Sequence, residues 1–425
     1  MKLVDVLIAG GGSAGLAAAI ASARAGARTV LVERQAALGG MATNALVHSI
    51  CGLYLLHPEP DARFAHPGFP TEFARRLIAA GGACGPVRMG RVDVLPTHPP
   101  SFAALADALC AAEPNLTVLL HTKLLSTLPP MGNRLTQVEL SCGGNRFTLF
   151  ARAFVDATGD AVLSAMAGAQ TEQAPTLQRP AFIFALGGVD TVTLQGQEGI
   201  FPLLQRMVAA VRSGELPQAL QGAHLRLTGR PGEIYVTIDL DDPVPGEAFN
   251  PFSAATLTAM EQHGRRLAQT LHRHLAGTHP LFKHAYIAAF PGRIGVRESR
   301  RVVGEARIET EDLLAGATAP DAVALSTWPI ELRETATGPR LRYPAGPCQI
   351  PLGALRPKGF QNLFVAGRCI SSSHDAQAAL RVIGTCLATG EAAGIAAALQ
   401  AQQKPVTAEA VRQVRKSITR EPACC

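Results

Sequence analysis

Gly10, Gly12 and Gly15 stand in G-x-G-x-x-G spacing, and an acid, Glu33, follows 18 positions after the last of them. Residues of these types at these intervals suit a grip on a dinucleotide. The first glycine permits a tight turn, the second lets backbone come up against a pyrophosphate, and the third lets a helix touch a strand. Ser13 and Ala14, opening the helix that follows, would turn free N–H groups and the positive end of a helix dipole toward the phosphates. Glu33 would accept hydrogen bonds from an adenosine ribose and repel a 2′-phosphate. NAD and FAD both use this geometry, so the unit alone does not separate them.

Other residues bear on a substrate. Arg293, Arg297 and Arg300 or Arg301 recur at i, i+4 and i+7 or i+8. On a helix they would share one face, and a row of guanidinium forks suits an anionic substrate. Packing against Glu298 and Glu305 at a domain interface is the plainer use of the same residues. His263, His272 and His274 fall on a helix predicted over 254–275 with no carboxylate at metal-ligand spacing, so they read as a solvated face and no metal is expected. Nine cysteines without a CxxC pair point to reduced thiols in a cytoplasmic protein. Cys424 and Cys425 stand apart as a candidate mobile redox or metal-passing pair.

The elements that must position these groups are legible locally. Residues 3–9 form a short apolar run of the kind found in a buried parallel strand, residues 13–25 are nearly all Ala, Leu and Ile, and Gly26 supplies a helix stop. A second strand over 29–33 completes a βαβ unit and ends in Glu33 and Arg34. Residues 54–100, rich in Pro, His and Gly, predict loops with one amphipathic helix over 71–80. Alternation over 233–240 predicts a strand with one buried face. Residues 384–399, with Gly390 and Gly394 at i, i+4, predict a helix flat enough to lie against a flavin or a sheet, Thr385 being in its first turn.

Three further segments choose between the dinucleotides by resemblance. They are Leu38, Gly39, Gly40, Met41, Ala42 and Thr43; Val155, Asp156, Ala157, Thr158, Gly159 and Asp160; and the run from Asn362 to Gly367 and Arg368. In this order they resemble the glutathione-reductase-like flavoproteins, in which FAD lies extended and such strand ends touch its adenosine and ribityl parts. The stretches 291–301 and 373–382 narrow the resemblance to the FAD-dependent oxidoreductases. Arg368 stands where many relatives carry an acid, and is read as a partner for a phosphate or a nearby carboxylate.

The resemblance implies an α/β fold: a discontinuous Rossmann-like FAD-binding domain with an inserted α+β substrate domain. The expected boundaries are 1–50, 101–170 and 346–415 for the FAD domain, 51–100 for a segment capping the flavin's substrate side, 171–345 for the insertion, and 416–425 for a loose tail. It also puts His374, in a Ser-rich loop past the last cofactor strand, near the isoalloxazine as the group that moves a proton. Arg381 would hold a substrate carboxylate or flavin O2. His48 and Cys51 are near enough in sequence to reach the flavin, as pocket lining or as a covalent attachment, although FAD is expected to be bound without one.

Composition limits the alternatives. At 425 residues, 47% apolar and 17% charged, the chain is too long for one small module and too apolar for disorder. Lys plus Arg number 39 against 33 Asp plus Glu, with lysine only at 2, 123, 283, 358, 404 and 416, so no basic block marks a nucleic-acid or membrane surface. No apolar run reaches membrane-spanning length. Residues 1–23 imitate a signal peptide, but Asp5 and three consecutive glycines argue against one. A second nucleotide-binding βαβ unit is missing, as is the C-x-x-x-x-C pair of disulfide reductases. The reading is an FAD-dependent oxidoreductase moving a hydride between a small organic substrate, an anion among the candidates, and flavin N5, with an unassigned electron partner and room for a homodimer. A single-component monooxygenase using NAD(P)H and oxygen, and a tRNA-binding flavoprotein, are the alternatives.

Overall fold

The computed structural model describes residues 3–56, 62–194, 196–242, 248–335 and 338–420; Cys424 and Cys425 lie outside them. The first strand, Leu3–Ala9, is the middle of a seven-stranded sheet. It pairs in parallel with Thr29–Val32 on one side and with the long strand Asn145–Asp156 on the other. Thr29–Val32 pairs onward, also in parallel, with Leu116–Leu119. The first half of Asn145–Asp156 forms an antiparallel hairpin with Gln137–Cys142, and its second half pairs in parallel with Leu363–Val365. Three separated stretches of sequence therefore build one sheet, and its parallel strand ends bring Gly10, Ala157 and Gly367 together.

Helix Ser13–Arg24 lies against helix Ile383–Ala401. Glycine makes this contact possible: a Cβ on Gly390 would sit 2.1 Å from the Ala14 carbonyl oxygen, and one on Gly394 would sit 2.2 Å from that of Ala18. The flat face expected to meet flavin or sheet thus meets the first helix. Gly15 is equally confined, since its Cβ would lie 1.7 Å from the Gly10 carbonyl oxygen, and Gly10 itself has φ +96°.

A second, antiparallel sheet runs His224–Leu227, Ile234–Asp239, Ala181–Gly187, Tyr286–Ala289. Strand alternation divides it cleanly. Phe182, Phe184, Leu225, Val236 and Ile238 face a core closed by helices Gly196–Arg212 and Ala254–Thr278. Ala181, Ile183, His224, Arg226 and Thr237 point the other way, toward a cavity shared with the first sheet.

Several expectations need correction. The stretch over 54–100 is not only loops and a helix: its Val87–Met89 and Val92–Pro96 form a small antiparallel sheet with Ser49–Ile50. Its helix, Phe69–Ala79, starts earlier than predicted because Pro70 suits a first turn. It buries Phe69, Phe73 and Leu77 in the main core instead of capping the cavity. Residues 291–300 are irregular, not helical: Arg293 N donates to Asn44 O, and Gly295 exchanges backbone hydrogen bonds with Ala181. Val302, Ile308, Leu313, Val323 and Ile330 pack into the first core, so the break between the two cores does not coincide with a boundary at 345. Lys416, assigned to the tail, belongs to helix Ala408–Ile418.

Candidate active site

A cavity of about 520 Å³ runs from the ends of the parallel strands to the polar face of the second sheet. At its outer end Glu33 accepts from Gly11 N and Gln35 N, both at 2.7 Å, one on each carboxylate oxygen. Each oxygen keeps a lone pair for a ribose hydroxyl. Helix Ser13–Arg24 has no side-chain cap, so its first-turn amides are left for an anion. Gly12 lines the cavity, and a Cβ there would meet nothing of the protein nearer than Gly40 Cα at 3.9 Å. The fold itself does not need glycine at 12. That space is a cradle suited to a closely approaching phosphate.

Across the cavity, Arg368 donates to Gly159 O at 2.9 Å, to Val296 O and to Asp160 Oδ1 at 2.5 Å. It ties three cavity walls together, with a carboxylate as partner. Burial opposes ionisation of Asp160, but Arg368 and a hydrogen bond from Ser299 hold its carboxyl below the usual range. Burial and the neighbouring Arg34 push Arg293 down to about 10, which leaves it charged at neutrality.

The inner end gathers residues from far apart in the chain. Asp239, fully buried, accepts from Arg297 and from Arg333, each at 2.6 Å. Arg333 also pairs with Glu331 at 2.7 Å, and Trp328 Nε1 donates to the other Glu331 oxygen at 2.9 Å. Burial opposes ionisation of Glu331, but Arg333 and Arg381 hold its carboxyl at about 2. Arg381 makes only longer contacts, to Glu331 O at 3.2 Å and Gln178 Oε1 at 3.3 Å, and its Nε is buried without a partner. Burial pushes the Cys51 thiol up to about 12, so it is protonated and a poor nucleophile at neutrality.

His48 is the other distinctive group here. Its ring stacks on Tyr235 at 4.7 Å, Nδ1 lies 3.1 Å from Leu46 O, and Nε2 is buried without a partner. The carbonyl makes Nδ1 the donor, which leaves the Nε2 lone pair free. Burial, with Arg226 nearby, lowers the His48 pKa to about 3. A neutral imidazole with an open acceptor therefore lines the cavity.

The predicted residues divide as follows. Gly10, Gly12, Ser13, Ala14, Glu33 and Arg34 line the outer end, joined by Gly40 and Met41 from the second segment. Ala157, Thr158, Gly159, Asp160, Gly367 and Arg368 line it from the other strand ends, and Arg293, Arg297 and Arg381 also face the cavity. Gly15, Gly39, Ala42, Thr43 and Thr385 do not line it; they shape the loops and helix starts behind it. His374 does not line it either. It is the first residue of helix His374–Leu380, not part of a loop, and its Nδ1 lies 2.7 Å from Glu298 Oε1. That hydrogen bond raises its pKa and holds it in an ion-pair cluster with Arg301. His224, Arg226, Trp328, Glu331 and Arg333, not singled out in the sequence, line the inner end. A signal for Arg226 and Asp239 was available: each is a charged residue on a strand whose alternate positions are apolar.

No group of three His, Cys, Asp or Glu side chains able to hold a metal ion occurs among the described residues. The seven described cysteines are all free. No single described helix is long and apolar enough to cross a membrane.

A strand-end glycine groove with an uncapped helix and a terminal acid has the form of a dinucleotide-binding site. The chain belongs to the FAD dependent oxidoreductase family, whose profile matches residues 5–418, and its cofactor is FAD. No curated protein matches the sequence. Among solved structures it is similar to a geranylgeranyl bacteriochlorophyll reductase-like protein from Thermoplasma acidophilum. The identity is 14%, with 98% of this chain and 83% of that one covered and a TM-score of 0.47. It is also similar to PqsL, a probable FAD-dependent monooxygenase from Pseudomonas aeruginosa, at 14% identity, 98% and 92% coverage and a TM-score of 0.43. A third, p-nitrophenol 4-monooxygenase PnpA from Pseudomonas putida DLL-E4, shares 10% identity over 98% and 81% of the chains, with a TM-score of 0.45.

Proposed function

We propose that this enzyme transfers a hydride between FAD and a small organic anion seated at the inner end of the cavity. Bound FAD supplies two-electron chemistry. Gly12, the first-turn amides of Ser13–Arg24 and Arg293 would hold its pyrophosphate, and Glu33 its ribose, in the extended manner of glutathione-reductase-like flavoproteins. The observation that carries the reading is a neutral His48 Nε2 beside a cluster of arginines.

The arginines would bind and orient the anion, and His48 would accept the proton that leaves as the hydride does. Burial and the Arg226 charge keep His48 a weak base. An anion seated against Arg226 removes the second of these causes and makes the imidazole more basic when substrate is present. Arg297 and Arg333, tied to Asp239, would act as a rigid wall. The N-terminus of Ile383–Ala401 opens on the cavity through Val382 and Ile383, and its dipole would favour the added charge of a reduced flavin.

Anaerobic mixing of the FAD-loaded enzyme with candidate organic acids tests this. The reading requires that one of them bleach the flavin band in a single turnover. Full reduction by neutral alcohols or amines, with acids inert, would overturn it.

A further inference from the structure

We propose that the inner end of the cavity is a recognition site for a small organic dianion, and that Arg226 and Arg381 are the residues that grip it. The inference rests on the preceding reading only in treating this end as the substrate end. Its basis is the charge balance of the two ends.

At the outer end Arg34, Lys123, Arg293 and Arg368 face Glu33 and Asp160. Four cations against two carboxylates leave two positive charges, matching the two negative charges of the FAD pyrophosphate. At the inner end Arg226, Arg297, Arg333 and Arg381 face Glu331 and the buried Asp239. Two positive charges are again left over, and here the oxidised flavin ring, being neutral, offers nothing to balance them. Charges out of water are costly unless paired, so the surplus marks a ligand of opposite charge.

Hydrogen bonds show which arginines are available. Arg297 and Arg333 are committed to Asp239 at 2.6 Å, and Arg333 to Glu331 at 2.7 Å. Among the described residues no carboxylate lies within ion-pair distance of Arg226 or Arg381. Among the described residues Arg226 has one polar contact, the Met89 thioether at 2.9 Å. Arg381 keeps a buried, unpartnered Nε. The two come from different sheets and helices, Arg226 from strand His224–Leu227 and Arg381 from the end of helix His374–Leu380. Both line the same cavity, together with Cys51. Guanidinium forks pair with carboxylate or phosphate oxygens in the same planar way, and either group satisfies this site.

The test is binding to oxidised, FAD-loaded enzyme, followed by flavin absorbance and by calorimetry. The dicarboxylate probes are malonate, succinate, glutarate and phthalate; glycerol phosphate is the phosphate probe; butyrate and benzoate are monoanion controls. A dianion should bind at least about tenfold more tightly than the matched monoanion, and the better class identifies the source of the charge. Arg226→Met should weaken that binding about 30-fold or more, as removing one partner of a buried charged pair does. FAD content should be unchanged, and Arg226→Lys should restore part of the affinity. Arg381→Met serves as the second variant, with its melting temperature and FAD content measured alongside. Monoanions binding as tightly as dianions, or Arg226→Met binding dianions like the parent, would overturn the proposal. Dianion binding without flavin reduction by any bound acid would defeat the hydride-transfer reading and leave this one standing.

Discussion

Replacing Gly12 by valine separates folding from FAD binding. Gly12 has φ −66° and ψ −177°, a backbone conformation open to any residue, and the nearest protein atom to a Cβ there is Gly40 Cα at 3.9 Å. A side chain can therefore be added without strain, and Gly12→Ala should leave the FAD-free protein as stable or raise it by about 0.4–1 kcal/mol through the unfolded chain. The cost falls on the ligand. A valine at 12 stands where the pyrophosphate must approach the helix amides, and each charge-assisted hydrogen bond lost there is worth about 1.5–3 kcal/mol. Two such bonds give about 3–6 kcal/mol, or roughly 10²–10⁴ in Kd at 1.4 kcal/mol per decade. Purified Gly12→Val should be colourless, with the melting temperature of FAD-stripped parent protein. Gly15→Ala is the contrast, because a Cβ placed 1.7 Å from Gly10 O must displace backbone and should lower both folding and binding. Stoichiometric FAD in Gly12→Val, or an FAD-free melting temperature well below the stripped parent, would refute the reasoning.

Three other perturbations follow from the geometry. His48→Phe keeps a ring to stack on Tyr235 but removes the Nε2 acceptor; FAD content should hold while anaerobic flavin reduction slows about 10²–10⁴-fold, the usual worth of a positioned base. His374 has a folded pKa raised by its hydrogen bond to Glu298, so the stability it adds is complete below its unfolded value of 6.5 and is lost as pH rises through the folded one. His374→Gln should accordingly melt lower than the parent at pH 5.5, converge on it at pH 9, and show an unchanged reduction rate per bound flavin. Gly390→Ala drives a Cβ to 2.1 Å from Ala14 O and should cost about 1–3 kcal/mol or more in denaturant unfolding, with weaker FAD retention because Ala14 belongs to the cofactor loop.

The outer end of the site was legible because its constraints are local. Gly10, Gly12, Gly15 and Glu33 lie within one βαβ unit, and the contact that forbids a side chain at Gly15 is to Gly10, five residues away. The strand over 233–240 and the helix over 254–275 were legible for the same reason, and appear as Ile234–Asp239 and Ala254–Thr278. The inner end was legible only in part: His48, Arg297 and Arg381 could be named from the sequence, but Arg226, Glu331 and Arg333 come from separate elements and meet them only through tertiary packing. His374 was misplaced by the same mechanism: its partner Glu298 lies 76 residues away, and nothing in the Ser-rich stretch announces the buried acid that turns the ring out of the cavity. The arginine row at 293, 297 and 300 or 301 was read with a helical period, whereas backbone hydrogen bonds from Arg293 to Asn44 and between Gly295 and Ala181 keep that segment out of a helix. Arg293 and Arg297 reach the cavity nonetheless, and Arg301 turns to Glu298.

The most direct test of hydride exchange with an organic anion is anaerobic stopped-flow reduction of the FAD-loaded enzyme by a panel of dicarboxylic and phosphorylated acids, in parallel with NADH and NADPH. The account predicts that one such acid, at one equivalent per flavin, bleaches the flavin band, and that Arg226→Met with full FAD content loses this response. Reduction by a nicotinamide alone, with every acid inert as an electron donor and no oxidised acid accepting electrons back from the reduced enzyme, would contradict it and favour a monooxygenase.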